Sequence, residues 1–168
     1  MTDELLHNAR RYAESFAAPP LSGKPALQVA VVACMDARLD PRGLLGLRDG
    51  DGHVIRNAGG VVTPDVIRSL TISQRLLGTR EIILIQHTRC GMLAITDDEF
   101  RAQLRAETGA EPDWAPGGFG DLEQSVLASA AQLAVSPFIP HKHSIRGFVF
   151  DVETGGLTEI SLPGLDAR

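Results

Sequence analysis

Cysteine is scarce in this sequence: there are only 2 in 168 residues, Cys34 and Cys90. A small domain stapled by disulfides would carry more, so this chain must rely on an apolar core. Aromatic residues make up only 5%, with 1 Trp and 1 Tyr. Basic residues are not in excess either, since 16 Lys and Arg stand against 21 Asp and Glu, a net charge of −5. That argues against the basic face of a duplex-binding protein and gives no support to a membrane-surface role. The longest apolar run, residues 27–35, falls far short of the roughly 20 residues a spanning helix needs. The opening residues lack the basic-then-apolar layout of a secretory signal. The expectation is a cytoplasmic protein that binds neither nucleic acid nor membrane. No repeat, low-complexity tract or composition shift marks a boundary, so residues 1–168 read as a single domain.

What is present is a globular composition, 43% hydrophobic and 22% charged, with 17 Gly and 10 Pro that point to many turns. Residues 2–17 carry Leu5, Leu6, Ala9, Tyr12, Ala13 and Phe16 on one helical stripe, which Pro19-Pro20 should stop. Leu27–Cys34 is almost continuously apolar and rich in Val, the pattern of a strand buried on both faces. A short helical turn follows around Pro41–Leu47, then a strand at His53–Asn57. Thr63, Pro64 and Asp65 open a helix that ends near Leu77, where Gly78 can take a left-handed cap. Glu81–Gln86 is a third strand. Thr96–Glu99 is a capping box before a helix at Phe100–Thr108, and Asp121–Val135 is helical. Ile145–Val152 and Leu157–Leu162, joined through Gly155-Gly156, read as an antiparallel pair. The expected fold is α/β, a mostly parallel β-sheet core with an antiparallel edge strand, flanked by helices.

In such sheets ligands sit beyond the carboxyl ends of the strands. The first strand ends in Cys34-Met35-Asp36-Ala37-Arg38 and the third in His87-Thr88-Arg89-Cys90-Gly91. Both cysteines and one histidine therefore fall at the same sheet edge. Cys34, His87 and Cys90 form a Cys2His donor set that suits a catalytic zinc with one open position. The alternatives are two inert buried thiols, or a redox pair. Cys90 is expected to start a helical turn, whose N-terminus would lower its thiol pKa. A carboxylate at Asp36 can accept a hydrogen bond beside a metal, and Arg38 can hold that carboxylate ionised; otherwise the two form an ordinary loop salt bridge. Asp40 and Arg42 read as a solvated face, and His7, His53, His141 and His143 as surface or loop histidines.

Taken together, Cys34-x-Asp36-x-Arg38, Arg56-Asn57-Ala58-Gly59 and His87-x-x-Cys90-Gly91 resemble the motifs of β-class carbonic anhydrases, above all the short bacterial members. The resemblance extends from the first helix to Val152. It implies one zinc per chain held by Cys34, His87 and Cys90, with Asp36 paired to Arg38 as the catalytic dyad. It implies that Asn57, Ala58, Gly59 and Gly60 border the substrate pocket. It also implies a homodimer, alone or as the unit of a tetramer, with sites near the subunit interface. Some members have a closed state in which the aspartate leaves its arginine and becomes a fourth zinc ligand, which adds Asp36 to the metal residues. Arg89 departs from the pattern, since many relatives carry an acidic or small residue there; it either adds positive charge to the site or is a solvated side chain. Trp114, Tyr12 and Phe16 are among the few aromatic candidates for a pocket wall.

The reaction so implied is reversible hydration of carbon dioxide to bicarbonate and a proton. Carbonyl sulfide and carbon disulfide hydrolases resemble this family in scaffold and ligand set and are the nearest alternative. A non-enzymatic zinc protein and a redox protein using Cys34 and Cys90 are alternatives of other classes.

Overall fold

Apolar strands alternating with helices build one sheet here. The computed structural model describes residues 1–17 and 22–165. Five strands, β1 (Val29–Cys34), β2 (Gly52–Asn57), β3 (Glu81–His87), β4 (Ile145–Phe150) and β5 (Leu157–Ile160), lie in the order β2-β1-β3-β4-β5. The pairs β1–β2, β1–β3 and β3–β4 are parallel, and β4–β5 is antiparallel. The helices are α1 (Thr2–Ser15), α2 (Pro41–Leu45), α3 (Pro64–Arg75), α4 (Asp97–Thr108) and α5 (Leu122–Val135). The expected α/β architecture with one antiparallel edge is the one found.

Every residue of β1 is buried, because this strand has a neighbour on each side and packing on each face. That is why its sequence is a run rather than an alternation. On one face Ala30 and Val32, with Ile82 and Leu84 of β3, pack against Val66 and Leu70 of α3 and Val126, Ala130 and Leu133 of α5. On the other face Val31, Ala33 and Cys34 join Leu39, Ile85 and Cys90. The two candidate cysteine ligands are thus members of the second core layer.

Helix starts follow their capping residues. Thr63 accepts from the Val66 N–H, Asp121 from Gln124, and Thr96 from Glu99, while the Thr96 hydroxyl donates back to the Glu99 carboxylate. Asp40 caps α2 by accepting from the Arg42 N–H, and Arg42 pairs with Asp49. These two residues therefore do more than form a solvated face.

Several boundaries differ from expectation. β1 begins at Val29, because Gln28 is left-handed at φ 54 and its carbonyl accepts from the N–H groups of Arg80 and Glu81. β4 stops at Phe150, where Asp151 turns the chain by accepting from the N–H groups of Glu153 and Thr154. α1 ends at Ser15, and the Pro19-Pro20 stop lies outside the described residues. His53 is not a loop histidine. It sits in β2, half-buried, with Nδ1 2.8 Å from Ser73 Oγ, and burial lowers its pKa.

Candidate active site

Parallel pairing brings the strand ends level, with Cys34 opposite Asn57 of β2 and Ala33 opposite Ile85 of β3. The residues that end β1 and β3, Cys34 and His87, therefore emerge at one edge, and Cys90 follows in the next turn. The ligand atoms of Cys34, His87 and Cys90 all lie within 4.8 Å of one another, and all three residues are buried. The two sulfurs are 3.9 Å apart. His87 Nδ1 lies 2.9 Å from the Thr88 carbonyl, an acceptor, so the ring proton belongs on Nδ1 and the Nε2 lone pair is left for a metal. Nε2 itself is buried without a hydrogen bond of ordinary geometry among the described residues. Such an orphan asks for an explanation, and a metal ligand is one.

The thiols differ in a way that fits the same purpose. Burial pushes the Cys34 thiol up, but His87 and the backbone N–H groups of Asp36 and Gly59 outweigh it, and its pKa falls below the ordinary value. Burial pushes the Cys90 thiol up, against a backbone hydrogen bond from Met92, and the neighbouring Cys34 adds to the rise. The first proton leaves readily, while the second thiolate would stand beside the first and needs a cation to form. The expected lowering at Cys90 is thus reversed. Only a short 3-10 turn, Gly91–Leu93, follows it, and burial dominates. Two sulfurs and one imidazole nitrogen are a donor set suited to zinc, with a fourth position left over.

Asp36 borders this trio, its Oδ2 3.7 Å from His87 Nε2. Arg38 grips it with Nε on Oδ1 at 2.9 Å, Nη2 on Oδ2 at 2.7 Å and its backbone N–H on Oδ1 at 2.9 Å. These bonds hold the Asp36 carboxyl well below the usual carboxylate range. The carboxylate is therefore engaged by its arginine in this structure. Arg38 Nη2 also donates to the Arg89 carbonyl at 3.1 Å. The Arg89 side chain is 66% exposed and pairs with Glu153 at 3.0 Å, so it adds no charge to the trio.

Arg56 has a role that the sequence alone did not reveal. From the end of β2 its guanidinium donates to the carbonyls of Cys34, Asp36 and Leu39, at 2.7 to 3.0 Å. It thereby shapes the segment that carries the first ligand and the Asp36–Arg38 pair. The available signal was a cation at the end of an otherwise uncharged strand. Next to it, Asn57 ties its own loop by bonding both the N–H and the carbonyl of Val61. The following Ala58–Gly60 form a 3-10 turn with Gly60 at φ 63. A Cβ on Gly60 would lie 2.6 Å from the Cys34 nitrogen and 2.8 Å from the Ile85 carbonyl oxygen, so only glycine fits against both ligand strands. Of the aromatic candidates, Trp114 lines a cleft of about 790 Å³ with Val61, Val62 and Phe119, which the three ligand residues do not line. Tyr12 lies on the exposed stripe of α1, and Phe16, also exposed, just past its end.

Comparison with known families matches the carbonic anhydrase family over residues 29–115. Over 161 residues the chain is 53% identical to Beta-carbonic anhydrase 1 of Mycobacterium tuberculosis, an alignment covering 96% of this chain and 98% of that protein. The chain belongs to the β-carbonic anhydrase family. The crystal structure of carbonic anhydrase from Streptococcus mutans matches it with a TM-score of 0.89 at 42% identity, over 95% of this chain and 97% of that one. A carbon disulfide hydrolase from Acidithiobacillus thiooxidans is 35% identical over 147 residues, 76% of this chain and 74% of that protein. A β-carbonic anhydrase thus carries the Cys-His-Cys trio at its strand ends, with the Asp36–Arg38 pair beside it.

Proposed function

We propose that the chain catalyses reversible hydration of carbon dioxide to bicarbonate and a proton, with one zinc held by Cys34, His87 and Cys90. The observation that carries this reading is the convergence of three donor atoms within 4.8 Å beside a carboxylate already locked by an arginine. Zinc held there would supply a Lewis acid that brings the pKa of its water toward neutrality, a property established for carbonic anhydrases as a class. Asp36 Oδ2, on the side facing His87, accepts a hydrogen bond from the attacking water and aligns its oxygen with the carbon of carbon dioxide. Its depressed pKa keeps Asp36 an acceptor and not a proton store, so the released proton leaves to buffer. Arg38 fixes the carboxylate's direction, and Arg56 fixes the segment that carries both. The loop Asn57-Ala58-Gly59-Gly60 forms a wall of the pocket, with the Gly59 N–H directed at the Cys34 sulfur.

The same reading makes residues 1–168 a single domain in a reduced compartment such as the cytoplasm, because thiolate ligands need reducing conditions. No helix among the described residues is long and apolar enough to cross a membrane. It also makes the protein a homodimer or an assembly of dimers. Supporting this, α1 has no buried residue, and Leu5, Leu6, Tyr12 and Phe16 are all more than half exposed.

Stopped-flow hydration of carbon dioxide, run beside hydrolysis of carbon disulfide and carbonyl sulfide, tests the substrate. Elemental analysis should find one zinc per chain, and Cys34→Ser, His87→Ala and Cys90→Ser should each lose metal and activity together. Hydrolysis of carbon disulfide without hydration of carbon dioxide would replace this reading. Full zinc occupancy in the variants would show that the ligands are misassigned.

A further inference from the structure

We propose that the main-chain carbonyl of Arg89, braced by the β4–β5 hairpin, positions Arg38 and through it Asp36. The inference rests on the reading of this site as a carbonic anhydrase centre. Two side-chain bonds join Arg38 to Asp36, but both residues belong to one short segment after β1. Those bonds alone let the pair move as a unit. The bond from Arg38 Nη2 to the Arg89 carbonyl, 3.1 Å, comes from the segment that carries His87 and Cys90. It ties the dyad to the other two ligands.

The Arg89 backbone is shaped for this. Its φ is 54, and only Gln28 shares a positive φ among the described non-glycine residues. A left-handed arginine persists only where its surroundings hold it. Here they do, and from outside the site. The Thr88 N–H donates to the Phe150 carbonyl at 2.9 Å, and the Val152 N–H donates to Thr88 Oγ1 at 3.1 Å. The Arg89 side chain reaches Glu153 at 3.0 Å, on a turn that Asp151 stabilises by accepting two backbone N–H bonds. The side chain thus points away from the site while the carbonyl points into it. Arg89 is a positioning residue, and its working atom is the one that every substitution retains, provided the left-handed backbone survives.

The test uses the zinc-loaded protein with two substitutions that differ in backbone preference. Asn tolerates the left-handed region and cannot reach Glu153, whereas Val, β-branched, resists that region. Arg89→Val should lower kcat about tenfold with KM little changed, and Arg89→Asn should recover most of that loss. In 15N-labelled protein, the Arg38 Nε–H resonance should be protected from water exchange in wild type and Arg89→Asn but not in Arg89→Val. If Arg89→Val does not fold, Arg89→Thr, also β-branched, takes its place under the same criteria. An Arg89→Asn variant as slow as Arg89→Val would overturn the proposal, since the side chain would then be the working part. So would Arg89→Val with wild-type kcat and a protected Arg38 signal. The resonance needs no turnover, so a wild-type protein inactive toward carbon dioxide would defeat the functional reading while the exchange contrast still decided this one.

Discussion

His53 shows how one side chain sets a pH response far from the site. It pairs with Ala30 near the start of the strands, and burial holds its pKa below the ordinary 6.5. Between the folded and unfolded pKa values, the unfolded chain binds more protons. Stability is therefore fully present above the unfolded value and falls as pH drops toward the folded one. Urea unfolding at about pH 7 and about pH 5 should show that loss in wild type. His53→Gln, which keeps a hydrogen-bonding group beside Ser73 Oγ, should lose less over the same interval; equal losses would mean that another group titrates. Asp36 is the counterpart at the site. Its pKa is also depressed, but by Arg38 and not by burial, so its charge survives where an unpartnered carboxyl would begin to protonate.

Among the elements, the turn at Ala58–Gly60 carries the tightest constraint. Gly60 combines a positive φ with a Cβ position that would fall inside the backbone of both β1 and β3. Gly60→Ala should therefore lower stability by about 2–4 kcal/mol. Gly120→Ala, with nothing within 4 Å of the added methyl, should stay within about 0.5 kcal/mol of wild type. Chemical denaturation of the two variants side by side checks the contrast; a Gly60→Ala protein as stable as Gly120→Ala would show that the strand ends can part to admit a methyl group. The same packing explains why loop 57–60 belongs beside the ligands: it approaches Cys34 as closely as backbone allows.

At the scale of the whole molecule, α1 is the unexplained element. Its apolar stripe was legible as a helix period, yet every residue of it is exposed in the single chain. Tyr12 and Phe16 lie ring to ring at 5.5 Å on that surface. Burying such a stripe against a second copy is the expected outcome. Light scattering should give about twice the 18.0 kDa chain mass or a higher multiple. Leu5→Glu combined with Phe16→Glu should shift the mass toward the single chain. An active wild-type monomer would refute the dimer.

The sequence by itself determined the sheet, its helices and the chemical identity of the site. β1 is legible because burial on both faces leaves an unbroken apolar run, and the caps at Thr63 and Thr96 because capping uses residues three apart. Cys34, His87 and Cys90 could be placed together because ligands of parallel sheets gather at strand ends, and two of the three residues end strands. Tertiary structure decided what depends on groups brought together across the chain. Arg56 meets the carbonyls of Cys34, Asp36 and Leu39, the Cys34 thiol ionises before Cys90 because His87 and two backbone N–H groups face it while burial dominates at Cys90, and His53 meets Ser73. Arg89 is the clearest case. Its side chain and its carbonyl face opposite ways, and no residue type announces where a backbone oxygen will point until the hairpin that turns it is in place.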